Sequence, residues 1–291
     1  MNLVIGATGF LGGEICRQLV AADKPVRALV RATSDREKRA ALQALGVELV
    51  EGDLKDAASL AAACTDVAAV ISTASATISR QPGDSLQAVD RDGQINLIDA
   101  ARAAGAAHFV YVSAHLNVDC PLTDAKHAVE QHLQQSGLTF TILQPTNFME
   151  VWLSPLVGFD VANARAQVFG TGQNPVSWIS LRDVAQFAVA ALDHPAARNT
   201  VIPLGGPAAL SPLEVVAIFE QLTGRSFALQ HIPIEALQAQ VATAIDPLEK
   251  TMAALTLATA QGDAIEMESV LRVFPVRLTS VADFARAVIN A

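Results

Sequence analysis

The sequence predicts a doubly wound parallel α/β sheet followed by a smaller C-terminal α+β region. Three observations carry that expectation. Short apolar runs alternate with helix-length segments through the first half of the chain, the pattern of successive β-α-β units. A glycine-rich turn, Gly6 to Gly12, stands between the first run and the first helical segment. The rhythm then changes after Pro145, and Pro, Gly and Asn become frequent between 163 and 175.

Strands covered on both faces read as nearly continuous apolar stretches, and these fall at residues 3–5, 26–30, 47–50, 67–71, 109–112 and 139–143. Helices are expected between them at 10–22, 35–45, 57–63, 85–104 and 123–135. In the fourth, Leu86, Val89, Gly93, Leu97 and Ala101 recur at three- and four-residue steps and form one face. Beyond Pro145 the expectation is a loop over 163–175, strands at 176–179, 201–204 and 227–232, and a helix at 181–192. Ser211 followed by Pro212 marks the start of a further helix, with Ser211 as its cap. Residues 234–291 read as mostly helical. The expected division is a nucleotide domain over 1–145 and a substrate or partner region over 146–291, with elements of the second returning to the first.

Composition narrows the function classes. A chain of 291 residues with 51% hydrophobic content can fill a large core. Its net charge of −9 and lack of any basic run argue against nucleic acid as a partner, since phosphates need clustered Lys and Arg. No stretch reaches the roughly 18 apolar residues of a membrane span. The apolar N-terminus belongs to the glycine motif and not to a secretory leader. Cys16, Cys64 and Cys120 show no Cys-x-x-Cys spacing and no His pair nearby. They are expected to be free residues of a cytoplasmic protein, Cys16 and Cys64 facing the core, and no metal site is indicated.

The turn Gly6-Ala7-Thr8-Gly9-Phe10-Leu11-Gly12 leads straight from strand to helix, the context that makes such a fingerprint a dinucleotide site of the Rossmann kind. Gly6 permits the tight turn, Gly9 lets backbone amides approach a pyrophosphate, and Gly12 lets the helix pack on the sheet. The helix N-terminus adds partial positive charge for the phosphates. At the end of the second strand an NAD binder places an acid for the ribose hydroxyls, and here Arg31 stands instead. Arg31 can pair with a 2′-phosphate, with Ser34 or Arg36 as further donors, or it is a solvated strand end beside Asp35, which caps the next helix. NADP is therefore favoured as the cofactor, with NAD possible. Asp53 and Leu54 follow the third strand, and Ser72, Thr73 and Ala74 end the fourth, at the edge where adenine and ribose lie. Asp53 either accepts from the adenine amino group or caps the following helix.

Beyond these residues, the runs Asp92-Gly93-Gln94-Ile95-Asn96-Leu97-Ile98-Asp99-Ala100-Ala101, Val110-Tyr111-Val112-Ser113, Thr141-Ile142-Leu143-Gln144-Pro145 and Ile179-Ser180-Leu181-Arg182-Asp183-Val184-Ala185 stand out, together with Lys126 and Glu130. With them the chain resembles the NmrA-like branch of the atypical short-chain dehydrogenase/reductase superfamily. The resemblance implies an NADPH-dependent reductase of a small uncharged quinone-like or aromatic substrate. The alternative it admits is a non-catalytic NAD(P)-binding redox sensor, regulator or assembly protein with a protein partner.

Within that resemblance, Ser113 and Lys126 match the Ser and Lys of the superfamily's catalytic set, while its Tyr position is Leu122. The one tyrosine, Tyr111, lies inside the fifth strand. The resemblance implies that Lys126 holds the nicotinamide ribose or assists proton transfer; otherwise it forms an exposed pair with Glu130. Ser113 either bonds a substrate oxygen or serves strand-end turn chemistry. His115 and His127 are the histidines nearest the expected nicotinamide, each a possible proton donor or a solvated side chain. Pro145, Asn147 and Phe148 mark where nicotinamide and substrate meet in the family, and Gln144 replaces a common Arg. Trp152, Phe159, Phe169 and Trp178 either line an apolar pocket or pack as core.

Overall fold

The computed structural model describes residues 1–78 and 80–290. Six strands and five helices make up its first half: β1 (Asn2–Ile5), α1 (Phe10–Ala21), β2 (Val26–Val30), α2 (Arg36–Ala44), β3 (Glu48–Glu51), α3 (Ala57–Ala63), β4 (Ala69–Ser72), α4 (Gly93–Ala103), β5 (His108–Val112), α5 (Pro121–Gln135) and β6 (Thr139–Pro145). They lie in one seven-stranded sheet with spatial order β6-β5-β4-β1-β2-β3, and Thr200–Leu204 is added beside β6. All pairings from β6 to β3 are parallel. The order reverses between β1 and β4, which makes that edge the switch point where open α/β sheets bind ligands.

The chain divides into two compact units. The first holds Met1–Ala114, Leu122–Gln144 and Val184–Ile202. Its core gathers Leu3, Ile5, Val70, Phe109 and Ile142 from the strands with Leu60, Leu97, Ile98, Val129 and Leu133 from the helices. The apolar stripe read across 85–104 is present: Leu86, Val89, Leu97 and Ala101 are all buried. That segment is not one regular helix, however. Leu86–Asp92 forms a π-helical turn before α4. A Cβ on Gly93 would meet Leu54 Cβ at 2.9 Å, so the glycine permits close approach of the two segments.

The second unit holds His115–Pro121, Pro145–Asp183 and Pro203–Ala291. Its core packs Met149, Phe159, Trp178, Val215, Phe219 and Phe227. Ser211 caps the helix Pro212–Thr223 through a complete capping box with Glu214. The segment expected as a loop over 163–175 contains a strand, Arg165–Phe169, paired with Ala228–Ile232. Its five residues alternate exposed and buried, but Asn and Gly on either side masked so short a period. The tail is helical as expected, in Ile234–Thr243, Pro247–Gln261, Glu268–Val273 and Val281–Ile289. No helix among the described residues is long and apolar enough to cross a membrane.

Candidate functional site

The glycine turn sits at the switch point. Gly6 has φ +84°, and a Cβ there would lie 2.6 Å from Thr73 Oγ1, so the ends of β1 and β4 touch through it. A Cβ on Gly12 would fall 2.3 Å from Gly6 O, which ties α1 to the turn. Gly9 is different: its Cβ would meet only Gly6 O, at 3.1 Å, and otherwise face open space. No side chain caps α1, so its first amides remain available to an anion. Thr8 is half-buried, Leu11 is buried, and Phe10 is 74% exposed with the Lys38 ammonium 5.6 Å above its ring. An open glycine face, uncapped amides and an exposed aromatic ring together fit a pyrophosphate-bearing group.

Arg31 ends β2 beside the turn, but it is not a free cation. Its Nη1 donates to Asp84 at 2.6 Å, and Lys55 Nζ also donates to Asp84. The Asp84 side chain is 1% exposed and accepts as well from the Gln81 amide. Burial alone would raise its pKa, but the bonds from Lys55, Arg31 and Gln81 outweigh that and hold it below the usual carboxylate range. Ser34 Oγ accepts from the Arg31 amide, while Arg36 is exposed and Asp35 caps α2 as expected.

The ends of β3 and β4 commit much of their polarity to the protein. Asp53 accepts from the Lys55 amide, and the cap of α3 is supplied by Asp56 instead. Leu54 is a core residue. Ser72 is fully buried and donates to Gln94 Oε1 at 2.7 Å, and Thr73 Oγ1 donates to Ile5 O. The hydroxyls of Ser72 and Thr73 thus point to protein partners. Gln94 Nε2 in turn donates to Ala74 O.

Lys126 and Glu130 are both buried, so they do not form the exposed pair. Lys126 Nζ donates to Val112 O at 3.2 Å and lies 5.0 Å from the Tyr111 ring centroid. Burial lowers its pKa, and the nearby carboxylates Asp90 and Glu130 oppose that shift. Asp90 is fully buried on the π-helical turn; one oxygen accepts from the Ala76 amide and the other has no partner among the described residues. Burial raises the Asp90 carboxyl. Glu130 accepts from Gln144 Nε2 at 2.9 Å. Ser113 is buried at the carboxyl end of β5, and its Oγ has no partner. Tyr111 is fully buried with an unpartnered hydroxyl. Burial, then Asp90 and Glu130, push that phenol well above its ordinary value. Sequence reasoning passed over Asp90, Asp84 and Lys55. Each adjoins a motif residue, but no spacing rule ties it to one.

In the second unit, Pro145 O accepts from the His115 amide, Asn147 Nδ2 donates to Thr259 Oγ1 at 2.9 Å, and Phe148 pairs with Ile179. His115 Nδ1 lies 3.1 Å from Asp263. His127 is exposed on α5, which favours its reading as a solvated side chain. Trp152, Phe159, Phe169 and Trp178 surround a cavity of about 30 Å³; Phe159 and Trp178 belong to the core of the second unit and Trp152 packs against it, while Phe159 also borders an open cleft of about 730 Å³. All three cysteines are buried and outside any disulfide, and burial pushes Cys16 up to about 12 and Cys64 up to about 11. No cluster of metal-ligating side chains occurs among the described residues.

A parallel sheet with a glycine turn at its switch point and an uncapped helix behind it defines a Rossmann-type α/β protein. Within that class, the model of the NmrA-like family matches residues 2–285, and the chain belongs to that family. The NAD(P)H azoreductase of Xenophilus azovorans is 34% identical over 240 residues, covering 81% of this chain and 78% of the relative. The photosystem II assembly factor Ycf39 of Synechocystis is 32% identical over 242 residues, covering 81% of this chain and 72% of the relative. In fold, the chain resembles an NADPH-dependent quinone oxidoreductase from Escherichia coli complexed with NADPH, with a TM-score of 0.80 over the whole of both chains at 22% identity.

Proposed function

We propose that this protein is an NADPH-dependent reductase of a small uncharged quinone-like or aromatic molecule. The observation that carries the reading is the buried Lys126 beside an unpartnered Ser113 hydroxyl at the carboxyl end of β5, in the same unit as the glycine turn. A buried polar group without a partner costs about 1–3 kcal/mol, so Ser113 is poised to bond a ligand. The relatives that bear reductase names support the same reading.

On this reading Gly6, Thr8, Gly9, Phe10, Leu11 and Gly12 receive the pyrophosphate, and Arg31 receives the 2′-phosphate. Asp53, Leu54 and the backbone of Ser72, Thr73 and Ala74 border the adenosine, while Pro145, Asn147 and Phe148 border the nicotinamide. The bound dinucleotide supplies a hydride. Lys126 orients the nicotinamide ribose, and Ser113 bonds the substrate oxygen, where negative charge develops during reduction. NADPH oxidation is to be followed against quinones, enones and phenolic ethers, for the wild type and for Lys126→Ala. A hit whose kcat falls at least tenfold in the variant, with the NADPH Kd changed less, is the expected result. An unchanged rate in the variant removes Lys126 from the chemistry.

A second reading is a dinucleotide-binding assembly or regulatory protein without turnover. The assembly factors among the relatives favour it, as does Leu122 at the usual Tyr position. Tight NADPH binding with no oxidation across the whole panel selects it.

A further inference from the structure

The reductase reading leaves one chemical requirement unmet. A carbonyl that accepts a hydride also needs a proton, and the position that carries a tyrosine acid in the wider superfamily is the buried Leu122. Tyr111 does not replace it: its hydroxyl is sealed in the core of the first unit, and its pKa is raised rather than lowered.

The loop after β5 carries a different donor. His115 lies two residues past Ser113, and its amide donates to Pro145 O at 2.9 Å. Pro145 is the last residue of β6, so His115 stands at the carboxyl end of that strand, the edge at which open α/β sheets bind ligands. Its Nδ1 is 3.1 Å from the carboxylate of Asp263. A carboxylate only accepts, so Nδ1 carries a proton and the tautomer is set. Asp263 is itself held from several sides. Asn117 Nδ2 donates to its second oxygen at 3.2 Å, its amide donates to Pro175 O, and its carbonyl accepts from the Ser177 amide. The side chains of His115 and Asp263 are 21% and 12% exposed, and no group among the described residues bonds Nε2. A ring gripped at one nitrogen and open at the other matches the geometry of a general acid with its orienting carboxylate.

We infer that His115 is the proton donor of the reduction and that Asp263 is its positioning residue, a role that rests on the reductase reading. In the step, the Nε2–H bond of the imidazolium breaks and an O–H bond forms on the substrate oxygen. The electron pair and the second hydrogen come from the dihydronicotinamide as hydride, delivered to carbon in a carbonyl or enone and to oxygen in a quinone. The dinucleotide is oxidised as the substrate is reduced by two electrons. The imidazole is left neutral with Nδ1–H still on Asp263, and solvent returns the proton. The bond to Asp263 raises the His115 pKa, burial opposes this and the charge of Asp263 adds to it, so the ring is charged further toward neutral pH than a free histidine. Asp263, on the segment after Pro247–Gln261, is the charged group that faces the ring.

The test pairs kinetics with NMR. With NADPH and 9,10-phenanthrenequinone, His115→Gln is expected to lower kcat about 10²- to 10⁴-fold while leaving the NADPH Kd within a few-fold. A general acid works in its protonated form, so the wild-type rate falls as pH rises through the His115 pKa. Asp263→Asn is expected to move that fall to lower pH, a shift that a purely structural role would not produce. The His115 ring signals, followed without any substrate, are expected to titrate above about 6.5 in the wild type and lower in Asp263→Asn. Turnover of His115→Gln within twofold of wild type, or a ring titration that ignores Asp263→Asn, overturns the assignment. Absence of turnover by the wild type on every acceptor overturns the reductase reading itself, and this role falls with it.

Discussion

At the end of β2 a buried carboxylate lies between two cations, and Lys55 also pairs with Asp53 at 3.7 Å, so the positive charge there is already balanced by carboxylates. If a 2′-phosphate docks at this strand end, it meets Arg31 and Lys55 already engaged with Asp84. Arg31→Ala is expected to weaken NADPH about ten- to a hundredfold and to leave NADH nearly unchanged in calorimetry. Asp84→Asn removes the competing anion and is expected to tighten NADPH several-fold, with a steeper salt dependence and no gain for NADH. Equal effects on both cofactors in either variant place the phosphate elsewhere. The same carboxylate sets an acid limb of stability. Its folded pKa is depressed below the unfolded value of about 3.9, so it stabilises the fold above that value. The stabilisation is lost as pH falls through the folded pKa. The Tm of the wild type is therefore expected to drop more steeply below about pH 4 than that of Asp84→Asn.

The glycine turn separates packing from binding within a few residues. Gly12 cannot accept a Cβ, because the added atom would lie 2.3 Å from Gly6 O and 2.6 Å from Gly6 C. Gly12→Ala is therefore expected to cost about 1–3 kcal/mol and to lower Tm by several degrees. At Gly9 the added side chain faces open space, so Gly9→Val is expected to remain folded by circular dichroism and to lose NADPH binding. Loss of the fold at Gly9→Val, with NADPH binding kept in Gly12→Ala, reverses these roles. The glycine turn and its flanking elements were legible because each signal is local: a φ that only glycine tolerates, an uncapped helix start, apolar runs at strand length. The π-helical turn before α4 was not legible, since Leu86, Val89 and Gly93 fit an ordinary helical stripe equally well.

Across the whole molecule the chain weaves between its two units. The first takes Val184–Ile202 from beyond Pro145, and the second takes His115–Pro121 from before it. Thr141 Oγ1 donates to Ala197 O, and the Phe140 amide donates to Asn199 Oδ1. A fragment ending at residue 145 lacks these partners and leaves β6 as a bare sheet edge. It is expected to show no cooperative thermal transition by circular dichroism, whereas the full chain does. A fragment that melts cooperatively and binds NADPH shows that the later segments are dispensable to the first unit.

The alternation of strand and helix, the glycine turn and the caps at Asp35 and Ser211 were all determined by the sequence itself. Each rests on residues within a few positions of one another, where backbone geometry and periodicity decide the outcome. Which side chains meet was decided only by the tertiary structure. Arg31 finds Asp84 across 53 residues, and His115 finds Asp263 across 148. Lys126 lies buried with its ammonium on Val112 O instead of forming an exposed pair with Glu130, and the buried carboxylates Asp90 and Glu130 offset part of the cost of its charge. Such pairings depend on where the folded chain returns, and no local pattern encodes that return.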